Sequence, residues 1–195
     1  MLTLFYGLVL FLGVHLLQVL APGWRERRRA QWGALAYKGI YSLVSIVGFV
    51  LLVHGYGLAR AEPVALWQPP RGLMHLAWLL MWLAMVLLVA AYVPRNGIRR
   101  RLGHPMTLSV KVWALGHLLV NGNLADVLLF GSFLLWAVLV FRSARRRPAA
   151  AATQASASTL ATVLTVLLGT ALWAMFLWGG WHAQWIGVDP LGAAG

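Results

Sequence analysis

The chain is 195 residues long, and 61% of its residues are hydrophobic whereas only 10% are charged. A soluble domain carries about a quarter charged residues, so a lipid bilayer is the expected main solvent of this protein. The net charge of +12 does not indicate a nucleic-acid partner, because the basic residues form short clusters between apolar runs, as in membrane proteins. The sequence contains no cysteine, which excludes disulfides, thiolate nucleophiles, iron–sulfur clusters and Cys-ligated zinc.

Six apolar runs follow one another along the chain, and each reaches or approaches the ~20 residues that a helix needs to cross the hydrocarbon core. They are Leu2–Leu20, Ala36–Leu58, Leu73–Val93, Met106–Val120, Leu124–Phe141 and Leu160–Trp178. The first is predicted to be a retained helix rather than a signal peptide, because no basic residue precedes it and positive charge follows it. The fourth is short, and the Asn-Gly-Asn sequence at 121–123 is the predicted turn to the fifth. That turn must lie at the interface or be covered by protein, since backbone polar groups cannot stay unsatisfied in lipid.

The basic residues predict the orientation of these spans. Of the 16 Lys and Arg residues, all but Arg60 and Arg71 cluster around the loops that follow the first, third and fifth runs. Cytoplasmic loops carry the excess of Lys and Arg. The sequence therefore predicts an all-α, polytopic membrane helical bundle of about six transmembrane helices, with both termini outside the cytoplasm. It is predicted to be a single domain over residues 1–195, with a low-complexity, flexible cytoplasmic loop at 143–158.

Histidines are the candidate source of chemistry, and the sequence has six of them. His15, His54 and His117 lie within apolar runs, where an ionisable side chain is costly and indicates function by default. The other three lie at or beyond the ends of the runs: His75, His104 and His182. The plain alternative is that each histidine only packs, with its ring hydrogen-bonded to a backbone carbonyl or a hydroxyl of a neighbouring helix.

The rest of the residue inventory narrows the chemistry that these histidines can support. The sequence lacks an HExxH motif, and of its four acidic residues only Asp126, at the predicted start of the fifth helix, lies near an apolar run. Zinc hydrolysis, an acid-assisted serine triad and carboxylate-based proton pumping are therefore poor matches. Bis-histidine haem b needs only two imidazoles on facing helices and an apolar pocket, so it matches best. Depth along the helices leaves the pair open, since His54 and His75 match His117 at least as well as His15 does.

Several segments resemble the NnrU family of bacterial membrane proteins, nearly from end to end. They are GLVLFLGVH with His15, PGWR at 22–25, YKGIYSLVSIVGFVLLVHGY at 37–56, HPMTLSVKVWALGHLLVNGNLADVLLFGSFLLWA at 104–137 and WHAQWIGVDPLG at 181–192. The central segment, with its His-Pro, Trp-x-x-x-His and Asn-Gly steps, is the most specific. The family is associated with denitrification and nitric oxide metabolism. The resemblance implies a multi-pass protein of the bacterial inner membrane, with both termini periplasmic.

The resemblance also implies a cofactor and its ligands. The family is similar to the plant 15-cis-zeta-carotene isomerase, a membrane enzyme with histidine-ligated haem b. This implies haem b bound between the first and fourth helices, with His15 and His117 as metal ligands and His104 as a further cofactor-binding position. Ala114 stands where the plant enzyme has a cysteine, so a thiolate ligand is not expected here.

Two further positions complete the predicted cofactor site. His54 is a candidate from its place in the second run. Arg60 or Arg71 is expected, from charge alone, to reach the haem propionates if the haem lies in the outer half of the membrane.

Three functions agree with this sequence. The first is a haem protein that supports denitrification, with nitric oxide as its ligand. The second is a haem-dependent cis–trans isomerase that acts on a polyene or a similar apolar lipid. The third is a haem-free assembly factor or small transporter in which the histidines only pack. Whether the protein is an enzyme stays open, and the predicted partners are the lipid bilayer and nitric oxide or an apolar lipid substrate.

Overall fold

Helices follow the apolar runs in the computed structural model, which describes residues 1–70, 72–146 and 156–192. The helices in these ranges are α1 (Leu2–Leu20), α2 (Pro22–Trp32), α3 (Ala34–Ala61), α4 (Leu73–Tyr92), α5 (Gly97–Leu102), α6 (Pro105–Val120), α7 (Leu124–Arg146), α8 (Thr159–Leu177) and α9 (Trp181–Ile186). Within these ranges the β-type pairing is an isolated antiparallel bridge between Ala65 and Asn123. The predicted all-α class is confirmed.

Five of the helices are long and apolar enough to cross a membrane: α1, α3, α4, α7 and α8. The helix of the fourth predicted run, α6, has 16 residues, which corresponds to a length of about 24 Å. That is shorter than the ~30 Å hydrocarbon core. The described residues therefore contain five candidate spans and one shorter apolar helix, and the total of six crossings stays a prediction.

Two loop predictions need correction. The basic loop predicted between the first and second apolar runs contains a helix, α2 (Pro22–Trp32), with Pro22 in the first helical turn, where its missing N–H costs nothing. The loop predicted from residue 143 begins later, because α7 continues to Arg146. Hydropathy marks where apolar side chains end, whereas a helix continues as long as its backbone bonds form, and Arg145 and Arg146 in the last turn complement the helix dipole. Residues 147–155 of the predicted loop lie outside the described residues.

Contacts between residues divide the chain into two units, of which the first comprises Met1–Gln68 and Asn121–Ser143. Within it, α1 packs closely against α3. A Cβ atom added to Gly7 would lie 2.3 Å from the Leu52 backbone nitrogen, and one added to Gly55 would lie 2.3 Å from that of Leu4. Small residues allow two membrane helices to approach to backbone contact, and these glycines do so here.

The Asn-Gly-Asn turn before α7 is covered by protein of the same unit. The Gly122 carbonyl accepts a hydrogen bond from the Leu66 N–H at 2.8 Å, and the Leu124 N–H donates to the Val64 carbonyl at 2.8 Å. Gly122 is buried. The turn therefore satisfies its backbone polar groups internally, as the sequence analysis required.

The second unit comprises Pro69–Val120 and Ala144–Gly195, and α4 packs against both α6 and α8 in it. Polar side chains join these helices. The Ser109 hydroxyl donates to the Ala84 carbonyl at 2.7 Å, and the Trp82 indole N–H donates to the Thr170 hydroxyl at 2.9 Å. The single domain predicted over residues 1–195 stays a prediction.

Candidate functional site: the histidines and a buried aspartate

His15 lies half-buried on α1 in an aromatic setting. Its ring centroid is 4.5 Å from that of Phe11, 5.4 Å from Tyr41 and 6.3 Å from Trp136. Its Nδ1 lies 2.6 Å from the Phe11 carbonyl oxygen, one helical turn earlier. A carbonyl oxygen only accepts hydrogen bonds, so Nδ1 carries the proton and Nε2 carries the lone pair of the neutral ring.

His117 repeats this arrangement on α6. It is half-buried, its Nδ1 lies 2.9 Å from the Trp113 carbonyl oxygen, and its ring centroid is 5.1 Å from the Trp113 ring. The Trp-x-x-x-His step therefore places the indole beside the imidazole one turn away, and the neutral ring carries its lone pair on Nε2. Metal-bound histidines usually donate their other ring N–H to a carbonyl or carboxylate. The tautomer fits a ligand, although the same bond also satisfies a histidine that only packs.

His182 is a residue that the sequence analysis left outside the site. It lies half-buried on α9, and its ring centroid is 6.5 Å from that of His117, with the ring planes 20° apart. Its Nδ1 lies 2.7 Å from the Val188 carbonyl oxygen. The two imidazole rings therefore lie near each other within the second unit.

The remaining histidines lie in more exposed places. His54 on α3 and His75 near the start of α4 are exposed, and the His75 ring meets the Trp78 ring edge-on at 5.0 Å. His104 is half-buried before α6 and lines a cavity of about 200 Å³ together with Arg99. His15 belongs to the first unit and His117 to the second, so the predicted ligand pair and the cofactor roles of His54 and His104 stay predictions.

A buried carboxylate forms a second polar cluster, in the first unit. Asp126 is only 3% exposed, in the first turn of α7. Its Oδ1 accepts a hydrogen bond from the Tyr56 hydroxyl at 2.5 Å, and its Oδ2 accepts one from the Asn123 side-chain amide at 3.1 Å. The Arg60 guanidinium lies 5.7 Å from the Tyr56 ring centroid.

The sequence analysis predicted Asp126 at a helix start, and this is confirmed. Its burial and its link to Tyr56 were missed, because the two residues lie 70 positions apart in the chain. Arg60 as a partner of haem propionates stays a prediction, and Arg71 lies outside the described residues.

In the ranges that the structure describes, no group of three or more His, Asp or Glu side chains is arranged to hold a metal ion. Two cavities, of about 580 Å³ and 200 Å³, lie beside α5, and their lining includes neither His15 nor His117.

Five long apolar helices make this chain a multi-pass helical membrane protein, and the comparisons with known proteins then identify its family. The family model described as "NnrU protein" matches residues 3–190. The chain belongs to the NnrU family, as the sequence analysis predicted. Neither a curated protein nor a solved structure matches it, so the comparisons do not show the similarity to the plant isomerase.

Proposed function

We propose that this NnrU family protein binds haem b through histidine side chains in the bacterial inner membrane and supports denitrification or nitric oxide metabolism. The observation that carries the proposal is the state of the imidazoles. His15 and His117 each donate Nδ1–H to a backbone carbonyl, and metal-bound histidines usually donate their second ring N–H in this way. The association with denitrification comes from the family resemblance.

His117 is the central ligand in this proposal, and two residues are candidates for the second position. The resemblance favours His15, and we adopt it. His182 is the alternative, because its ring lies near that of His117 within the second unit. Ala114 is fully buried three residues before His117 and offers no ligand atom, so coordination rests on imidazoles alone.

The chain's own residues hold and shield the ligands. The carbonyls of Phe11 and Trp113 fix the tautomer and orientation of the two rings, while Tyr41 and Trp136 enclose His15 with aromatic surface. If haem binds at these histidines, it would supply an iron suited to one-electron transfer or to binding nitric oxide.

The first experiment is an oxidised-minus-reduced absorption spectrum with a pyridine haemochrome assay on the purified protein. We expect one haem b per chain in the wild type, loss of haem in His117→Ala, and a high-spin or depleted spectrum in His15→Ala. His75→Ala is the matched control, because this exposed histidine is no proposed ligand and its variant should keep the wild-type spectrum.

His182→Ala decides between the two candidates for the second ligand. A low-spin spectrum that survives in His182→Ala and disappears in His15→Ala supports His15, and the reverse result assigns the position to His182. Wild-type protein that folds without haem under haem-replete expression would overturn the proposal and favour an assembly or transport role.

Nitric oxide binding is tested on the reduced wild-type protein. We expect the absorption spectrum of the reduced protein to change when nitric oxide is added. A reduced spectrum that nitric oxide leaves unchanged would contradict the nitric oxide part of the proposal while leaving haem binding intact.

A further inference from the structure

A cavity of about 580 Å³ lies between α5 and the beginning of α8, within the second unit. Residues of both segments line it: Gly97, Ile98, Arg100, Arg101, Ala157, Ser158, Thr159 and Thr162. Hydrogen bonds tie its two walls together. The Gly97 N–H donates to the Thr162 hydroxyl at 2.8 Å, and the Ser158 N–H donates to the Arg95 carbonyl at 2.9 Å.

The wall formed by α5 is held in place by Asn96, which is 1% exposed. Its amide donates to the carbonyls of Ala90 and Val93, at 2.9 and 2.5 Å, and its Oδ1 accepts from the Arg99 N–H at 2.7 Å. This side chain joins the end of α4 to the start of α5. The arginines that follow are therefore carried on an anchored backbone.

The cavity is positively charged. Arg100 and Arg101 both line it, no acidic residue does, and the whole sequence has only four Asp and Glu residues. The Thr162 hydroxyl accepts from Gly97 and donates to the Ser158 carbonyl at 2.9 Å, so the guanidinium groups are the donors best suited to a ligand. Guanidinium groups match the geometry of phosphate oxygens and bind them with two parallel hydrogen bonds.

An apolar surface continues from the cavity along α8. Val163 is 48% exposed and Leu167 is 59% exposed. They follow the cavity-lining Thr159 at steps of four residues, which places all three on one face of the helix. A ligand with an anionic head at the two arginines and apolar chains along Val163 and Leu167 would satisfy both surfaces.

We propose that the cavity binds the phosphate of an anionic phospholipid headgroup through Arg100 and Arg101, with the acyl chains along Val163 and Leu167 of α8. Basic pockets between membrane helices are suited to such headgroups. Free phosphate shares the headgroup chemistry but makes no contact with these apolar side chains. The proposed site is independent of haem and uses none of the histidines.

The test compares lipid binding to the full-length protein in detergent by native mass spectrometry, with phosphatidylglycerol and phosphatidylcholine of identical chains. We expect the wild type to prefer phosphatidylglycerol by about tenfold, since each basic residue near an anionic lipid contributes a several-fold effect. The variant R100Q/R101Q should lose this preference, whereas R100K/R101K should keep part of it. The control R27Q/R29Q removes the same charge from two exposed arginines of α2 and should bind like the wild type.

Two further measurements separate a lipid from free phosphate. Val163→Gln/Leu167→Gln should weaken phosphatidylglycerol binding several-fold, and 10 mM inorganic phosphate should compete poorly with the lipid. Strong competition by phosphate, together with no effect of the Val163 and Leu167 substitutions, would overturn the lipid assignment in favour of a phosphate site.

An unchanged preference in R100Q/R101Q, or an equal loss in R27Q/R29Q, would overturn the cavity itself as the site. If R100Q/R101Q does not fold, R100Q and R101Q carry the same test singly, each with about a threefold expected loss.

Discussion

A few polar side chains are buried in this mostly apolar protein, and Asp126 is the clearest example. A carboxylate taken out of water is costly unless hydrogen bonds compensate it. Tyr56 and Asn123 supply those bonds, and the position in the first turn of α7 adds a favourable helix-dipole interaction. Asp126 thereby ties α3 to α7 within the first unit.

Tyr56→Phe tests this role. Removing the hydroxyl leaves a buried carboxylate oxygen without its donor, which costs about 1–3 kcal/mol. We expect a lower thermal midpoint of unfolding in detergent, measured by circular dichroism. Tyr6→Phe is the control, because Tyr6 is 57% exposed on α1. Equal midpoints for the two variants would show that the Tyr56–Asp126 bond contributes nothing to stability.

Among the elements, the α1–α3 pair depends on glycine rather than on large apolar side chains. The hydrophobic effect does not drive association between helices that are already in lipid. Close van der Waals packing must therefore stabilise the helix pair. Gly48 belongs to the same contact, since a Cβ there would lie 2.7 Å from the Phe11 nitrogen, whereas a Cβ at Gly57 of the same helix would meet no atom within 4 Å. Gly55 therefore packs against the α1 backbone, whereas Gly57 of the same helix makes no such contact.

Gly55→Ala and Gly57→Ala form a matched pair for this packing. The alanine at position 55 pushes against backbone, which cannot rotate away, so we expect a loss of about 1–3 kcal/mol and a lower thermal midpoint. The alanine at position 57 should leave the midpoint unchanged or raise it, because alanine favours a helix by about 1 kcal/mol over glycine. A midpoint that falls equally in both variants would contradict the packing argument.

On the scale of the whole molecule, the number of crossings depends on one short helix. If α6 crosses the membrane together with the five longer helices, both termini lie on the same side, and all the basic clusters lie on the other. If α6 does not cross, the termini lie on opposite sides. We propose six crossings with periplasmic termini, because this arrangement agrees with the distribution of Lys and Arg.

Single cysteines test this topology, and the cysteine-free chain needs no background substitution. We introduce Ala30→Cys on α2, Glu62→Cys after α3 and Gln184→Cys on α9, all at exposed positions. A membrane-impermeant maleimide added to spheroplasts should label Glu62→Cys and Gln184→Cys, and should label Ala30→Cys only after permeabilisation. Labelling of Glu62→Cys without Gln184→Cys would indicate that α6 does not cross.

The amino-acid sequence alone determined the helical membrane class, the approximate bounds of the long helices and the family. Each of these depends on local composition and order: apolar runs, clustered arginines and the motif around His117. Only the tertiary structure decided which residues meet, including Tyr56 with Asp126, His117 with His182, and Arg100 and Arg101 with the start of α8. The physical reason is that a uniformly apolar helix has no polar face that specifies its partner helix. Glycine contacts and a few hydrogen bonds between positions far apart in the sequence determine which helices pack together.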